Sequence, residues 1–195
     1  MRQTLRNLAE RSGRSVAVWR NLERLEEFQA AISSKKLIAV YVNLPVEVET
    51  ARFFEQIAGS GTGQIAVPYC ENGELELFRL QTQVLDELAP QTLGILEPRP
   101  ELRSDPSRRV SAGELGLILT PGLAFDRSGG RLGRGAGYYD RFFTRIDLER
   151  ENNRNFGPVP KFALAFDCQI LDQIPLEPHD VRLDGIITES EIIRV

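Results

Sequence analysis

Apolar residues fall along this chain in short blocks, and their spacing alternates between helical and extended periods. Val18, Leu22, Leu25, Phe28 and Ile32 lie on one face at helical spacing and predict an amphipathic helix, with a shorter helical pattern before it around Leu5 and Leu8. Leu37 to Val42 is an unbroken run that reads as a buried strand. Pro45 interrupts the chain, and Val48 to Ala58 reads as a helix with Phe54 and Ile57 inward. Gln64 to Tyr69 predicts a second strand, and Glu74 to Leu80, with partial alternation, a third. Leu115 to Thr120 is again of strand length, and Tyr139, Phe142, Phe143 and Ile146 then recur at i, i+3, i+4, i+7. Lys161 to Phe166 and Asp184 to Thr188 read as the last two strands. Strands alternating with helices predict one layered α/β domain over residues 1–195, with a mainly parallel sheet flanked by helices. Ligands of such sheets sit at the carboxyl ends of the strands.

Between these blocks, Gly59 to Gly63 has the composition of a plain connector. Residues 98–113, with three prolines and four arginines, read as a surface loop, as do residues 147–160 around Asn152-Asn153-Arg154-Asn155. One loop is different. Half of the 16 glycines fall between Gly113 and Gly137, and the stretch Arg131-Leu-Gly-Arg-Gly-Ala-Gly-Tyr-Tyr-Asp-Arg141 follows Pro121-Gly-Leu-Ala-Phe-Asp126. Glycine at every second position leaves backbone N–H groups uncovered for an anion. Arg131, Arg134 and Arg141 add forked positive charge suited to phosphate or carboxylate. The loop joins a strand to a helix start, where the helix dipole favours a bound phosphate and where Asp140 would occupy the first turn. Gly133, Gly135 and Gly137 run G-x-G-x-G, with Tyr138 where a dinucleotide fingerprint needs its third glycine, and no G-x-x-x-x-G-K-[ST] occurs.

Composition narrows the chemistry. Hydrophobic residues make up 42% and charged residues 27%, a soluble globular balance. A net charge of −4 argues against a nucleic-acid binder, whose domains are usually basic. No apolar run approaches the ~18 residues of a membrane span, and the polar start Met1-Arg-Gln-Thr-Leu-Arg6 lacks a signal-peptide core. Cys70 and Cys168, far apart and near apolar runs, are expected to be buried free thiols, and the protein to be cytoplasmic. The single histidine, His179, excludes a multi-histidine zinc site and weakens any histidine-activated nucleophile. Chemistry run by magnesium, arginines and backbone donors stays open.

With the loop and its flanks in view, the chain resembles the 5-formyltetrahydrofolate cyclo-ligase family over nearly its whole length. The resemblance rests on Arg2-x-x-Leu5-Arg6, Glu47-Val-Glu-Thr50, Leu93-Gly-Ile-Leu-Glu-Pro98 and His179-Asp-Val-Arg-Leu-Asp184, and above all on Pro121 to Asp126 with Arg131 to Arg141. It implies a layer fold like that of sugar-phosphate isomerases and CoA-transferases. It also implies ATP-dependent closure of the formyl group of 5-formyltetrahydrofolate onto N10, with magnesium as cofactor and ATP as co-substrate.

Carried over by position, the resemblance gives ATP to Arg2, Arg6, Arg131, Leu132, Gly133, Arg134, Gly135, Ala136, Gly137, Tyr138 and Tyr139. It gives folate to Leu44, Glu49 and the segment Arg134 to Tyr138, magnesium to Asp140 and Asp180, and the catalytic parts to Arg134, Tyr138 and Asp140. Two positions depart from the family pattern: Arg2 stands where lysine is usual, and Ala136 where lysine or glycine is often found. The expected partners are small molecules, with neither nucleic acid nor membrane, and the expected state a monomer or weak homo-oligomer. Two other readings are a divergent member that binds nucleotide or folate without cyclising it, and an isomerase- or transferase-like enzyme that needs no ATP.

Overall fold

Every residue of Leu37-Ile-Ala-Val40 is buried, as expected of a strand covered on both faces of a parallel sheet. In the computed structural model, which describes residues 1–51, 53–54, 64–81, 86–91, 95–152 and 156–195, this run is β1. Three helices precede it: α1 (Arg2–Arg6), α2 (Arg11–Leu22) and α3 (Glu26–Ser33). After it come β2 (Ile65–Glu71), β3 (Glu74–Arg79), β4 (Leu88–Pro90), β5 (Leu96–Pro98), β6 (Leu115–Thr120), β7 (Ala124–Asp126) and β8 (Arg131–Leu132). The long helix α4 (Tyr138–Glu151) leads to β9 (Lys161–Leu164), β10 (Ile170–Leu171), β11 (Gly185–Ile187) and β12 (Ile192–Arg194).

The main sheet has seven strands in the order β12-β11-β9-β6-β1-β2-β3. Its interior pairs β11–β9, β9–β6, β6–β1 and β1–β2 are parallel, and the edge strands β12 and β3 are antiparallel to their neighbours. Asn72 and Gly73, both at positive φ (52° and 81°), make the tight turn that returns β3 along β2. One face of the sheet packs on α1–α3 through Leu5, Val18, Leu22, Leu25 and Phe28. The other packs on α4 through Phe142, Phe143 and Ile146. The expected mainly parallel sheet between helical layers is what the chain forms.

The sheet winds outward in two directions from its middle. From β1 the next main-sheet strand lies to one side as β2, whereas from β6 the next lies to the other as β9. The loops leaving the carboxyl ends of β1 and β6 therefore diverge, and a crevice opens between them at the switch point, the usual ligand position in an open α/β sheet.

Several local expectations change. The helix read from Val18 to Ile32 is two helices, broken where Leu25 takes an extended backbone (φ −70°, ψ 127°) ahead of α3. Both bury the same side, so the apolar spacing runs through the break. Residues 147–151, read as loop, complete α4, because the buried position after Ile146 is filled by Arg150. Its guanidinium donates to the carbonyls of Ala112, Leu115 and Gly157. Asp184 to Thr188 is not at the last strand: β12 follows it and pairs back on β11. Residues 98–113 are not wholly surface, since Arg108 is buried against Glu87 at 2.7 Å. Cys70 and Cys168 are free thiols but only half-buried. Of the predicted helix Val48–Ala58, Phe54 is fully buried, while Ile57 and the Gly59–Gly63 connector lie outside the described residues.

Candidate functional site

Two loops build the walls of the crevice. The first, after β1, is tied into a compact turn by its own polar groups. Asn43 Oδ1 accepts from Thr50 N (2.9 Å) and Thr50 Oγ1 (3.1 Å), and Thr50 Oγ1 accepts from Asn43 N (3.2 Å). The hydroxyl of Tyr41 donates to Val48 O, and Glu47 Oε2 accepts from Leu44 N at 2.8 Å. Helix α2 braces the far end: Ser15 Oγ accepts from Glu49 N, Trp19 Nε1 donates to Glu49 O, and Ser12 Oγ donates to Glu49 Oε2 at 2.9 Å. Glu49 and Leu44, the expected folate contacts, are thus held in a fixed frame and left half-exposed.

The second loop follows β6 and begins with the β7–β8 hairpin. Buried Asp126 organises it. Its Oδ1 accepts from Ser128 N (2.9 Å), Ser128 Oγ (2.7 Å) and Gly130 N (2.9 Å), and its Oδ2 from Ile174 N (2.7 Å). Burial alone would raise this carboxyl, but the N–H and O–H donors prevail and hold it below the ordinary range. Beyond the hairpin, Gly135 (φ 94°) and Gly137 (φ 65°) adopt the left-handed region that favours glycine. A side chain at Gly135 would project into open space, so the backbone there is bare. Gly137 leads directly into α4, with Asp140 in its first turn.

The arginines of this loop do different things. Arg134 is half-exposed and borders a cleft of about 100 Å³ that it shares with Arg2, Arg6, Val46 and Leu123. Three guanidinium-bearing residues from distant parts of the sequence thus meet beside the loop after β1. Arg131, by contrast, points inward. Its side chain is 5% exposed, donates to Asp140 Oδ2 at 2.8 Å, and lies over the rings of Tyr139 (5.2 Å) and Phe143 (5.8 Å). Arg141 braces the loop from outside, donating to Ala136 O and Glu74 and covering the Tyr138 ring. Leu132 is one of the exposed large apolar residues, and Tyr138 is half-exposed beside the loop.

Sequence reasoning assigned no task to Glu47, which the structure puts at the centre of the wall. It is 8% exposed, and its Oε1 accepts from Arg134 Nη2 at 3.2 Å. Burial pushes its carboxyl up, against the opposing pull of the Leu44 N–H and Arg134. Burial, reinforced by Glu47, also pushes up the phenols of Tyr41 and Tyr139. The signal available beforehand was the Glu47-Val-Glu-Thr50 spacing, but a burial difference between Glu47 and Glu49 is not visible in it.

Asp180 lies against the start of α4: Val181 N, one residue on, donates to Asp140 Oδ1 at 3.3 Å. Asp180 Oδ2 accepts from Glu177 N at 2.8 Å and its side chain is 23% exposed. Among the described residues no three acidic, histidine or cysteine groups gather as a protein-only metal cage. Asp140 in the first turn of α4 and Asp180, one residue from its Val181 contact, are nonetheless carboxylates of the kind that suit magnesium, which takes one or two and completes its shell with other oxygens and water. His179, 68% exposed, lies on the rim of a broader groove of about 670 Å³ along the outer side of α4.

Comparison with known proteins shows what the chain as a whole is similar to. The family model described as "5-formyltetrahydrofolate cyclo-ligase family" matches residues 1–189. The 5-formyltetrahydrofolate cyclo-ligase of Mus musculus is 31% identical over 195 residues, covering 97% of this chain and 90% of the relative. The mitochondrial cyclo-ligase of Arabidopsis thaliana is 32% identical over 158 residues, 76% of this chain and 57% of that longer protein. Among solved structures, the NMR structure of Aquifex aeolicus 5,10-methenyltetrahydrofolate synthetase superposes with a TM-score of 0.75 at 28% identity, covering 99% of this chain and 89% of the other. Sequence match and fold lead to one conclusion: the chain belongs to the 5-formyltetrahydrofolate cyclo-ligase family.

Proposed function

We infer that the crevice between the two loops is where this ligase uses ATP to convert 5-formyltetrahydrofolate to 5,10-methenyltetrahydrofolate, ADP and phosphate. The supporting observation is that Arg2, Arg6 and Arg134 line one cleft at the switch point of the sheet. The ATP phosphates lie there, against the bare backbone from Gly133 to Gly137 and the positive end of α4. The folate lies on the neighbouring wall, with Glu49 accepting from pterin N–H groups, Leu44 in apolar contact and Tyr138 as an aromatic surface.

A formamide oxygen is a poor leaving group. It attacks the γ-phosphorus, ADP leaves, and the formyl carbon becomes electrophilic. N10 then attacks that carbon, the C–O bond breaks, and the departing phosphate carries away the formyl oxygen and the N10 proton. Such a reaction needs positioning and charge neutralisation more than a covalent protein nucleophile. Arg134 provides both, reaching the phosphates from a side chain already fixed at one end. Arg131 works from beneath, orienting Asp140 instead of opening its own fork to the cleft. Asp140 and Asp180 would hold magnesium, which neutralises phosphate charge when bound. The free half-buried thiols support a cytoplasmic location.

Growth of methenyl-product absorbance from 5-formyltetrahydrofolate tests the reading. Product is expected only with Mg-ATP. Turnover that ignores ATP would point to isomerase-like chemistry, and binding of both ligands without turnover to a non-catalytic member.

A further inference from the structure

Asp126, buried at the end of β7, spends its two carboxylate oxygens on two different stretches of chain. Oδ1 accepts from Ser128 N, Ser128 Oγ and Gly130 N and so shapes the turn into β8. Oδ2 accepts at 2.7 Å from Ile174 N, 48 positions further along. A turn closed by an aspartate side chain needs only the first set of bonds, so the bond to Ile174 serves something else. The segment that follows Ile174 then returns to the same turn. Leu183 N donates to Gly129 O at 3.0 Å, and Arg182 donates to Ser128 O at 2.7 Å and to Ser128 Oγ at 2.8 Å. The fit is close: a Cβ at Gly130 would come within 2.6 Å of Asp126 Oδ2, and one at Gly129 within 2.5 Å of Leu183 O. Residues 174–183 are thus clasped to the turn at both ends, with Asp180 between the two attachments.

The two stretches meet again at Asp140. Gly130, held by Asp126 Oδ1, is followed by Arg131, which donates to Asp140 Oδ2 at 2.8 Å. The clasped segment supplies Val181 N, which donates to Asp140 Oδ1 at 3.3 Å. Each oxygen of Asp126 therefore leads by its own path to one oxygen of Asp140, and the second path carries Asp180 as well. We propose that Asp126 is a positioning residue: it orients the Asp140 carboxylate from both sides and fixes the segment that carries Asp180, so that the two acids are set for magnesium before the metal arrives. The proposal rests on the reading of Asp140 and Asp180 as magnesium ligands. Groups that orient a metal ligand contribute to metal affinity without touching the metal.

Calorimetry of ATP binding, with Mg2+ and with EDTA in its place, tests this in the absence of folate, so that nothing turns over. The ratio of the two affinities isolates what the metal contributes. Asp126→Asn should lower that ratio about tenfold, the lower end of what losing a ligand-orienting group does to metal affinity, and leave metal-free ATP binding within about twofold. In an Asp140→Asn background, where both paths have lost their target, the same substitution should change the ratio by less than about twofold. Ile187→Val, a fully buried position in β11 that destabilises the core without lying on either path, should leave the ratio as it is. Circular dichroism checks that each variant is folded at the assay temperature. Where Asp126→Asn is not, Arg182→Ala replaces it, opening the clasp from its exposed end, with a fall of about threefold expected for the lost bonds to Ser128. An unchanged ratio in the folded variant, or an equal fall in Ile187→Val, would overturn the positioning role and leave the metal assignment standing. If Asp140→Asn alone leaves the ratio unchanged, the metal assignment fails and the role of Asp126 fails with it.

Discussion

Replacing Asp140 with asparagine should damage the protein twice, and the two kinds of damage can be separated. Asp140 and Arg131 form an ion pair at 2.8 Å with side chains only 14% and 5% exposed. Removing one charge from a buried pair leaves the other uncompensated, at a cost of about 3–5 kcal/mol. Asparagine keeps an acceptor oxygen for Arg131, so the loss should fall near the lower bound, about 3 kcal/mol. For a chain of this size each kcal/mol moves the midpoint by about 2–4 °C, so Tm should drop by about 6–12 °C. Turnover should collapse as well, because the carboxylate that would share magnesium with the phosphates is gone.

The second substitution distinguishes the effects. Arg131→Met removes the orphaned charge, and its side chain can lie over the Tyr139 and Phe143 rings that Arg131 now covers. The double variant should regain at least half of the lost Tm while remaining inactive. Thermal unfolding by circular dichroism and the methenyl-product assay read the two outcomes. A loss under about 1 kcal/mol in Asp140→Asn would show that the pair does not behave as buried. Recovery of turnover in the double variant would reduce Asp140 to a purely structural residue.

Further substitutions probe the remaining assignments. Arg134→Ala should lower kcat/KM for ATP by about 10²–10³, as loss of a preorganised donor does. Arg127→Ala, whose 62% exposed side chain pairs with Glu191, should stay within about twofold, and equal effects would show the phosphate loop misplaced. Glu49→Gln sets a donor against a pterin donor, so folate affinity should fall roughly 5- to 150-fold while calorimetric ATP affinity holds. The reverse pattern would exchange the two ligands. Asp126→Asn presents an amide N–H to one of the N–H groups it now accepts from and should cost about 1–3 kcal/mol at neutral pH. Because the folded Asp126 carboxyl lies below its unfolded value, its contribution is full above the unfolded value and vanishes as pH falls through the folded one. Denaturant titrations should therefore show the gap between wild type and Asp126→Asn closing in acid.

Fold class could be read in the chain because it rests on local signals, unbroken apolar strands and helical spacing, and the glycine loop stood out by its alternate glycines. The misreadings arise where polar residues do apolar work or where two elements share one face. Arg150 occupies a core position of α4 and hides the helix end, and Leu25 belongs to the same apolar stripe on both sides of a break. Arg131 and Arg134, three residues apart in one motif, look equivalent in sequence. Their difference comes from the β8 backbone pairing, which turns one beneath the loop and leaves the other at the cleft. Glu47 is the converse case, a charged residue that the fold buries against Leu44 N and Arg134, which its spacing in the chain does not reveal.

The pairing of β1 with β6 also sets an order of events during folding. The two strands are neighbours in register, Val40 beside Leu119, although about eighty residues separate them along the chain. The loops they carry cannot face each other until this long-range parallel contact forms, and such contacts pay a large loop-closure entropy before they gain any stability. A nascent chain therefore lacks the cleft between the two loops while its N-terminal helices and the β2–β3 hairpin are already able to form locally. ATP and folate can stabilise the finished molecule by mass action but have nothing to hold on to before β6 docks. In a refolding experiment, recovery of ligand binding should coincide with the slowest step of sheet assembly and lag behind the return of helical signal.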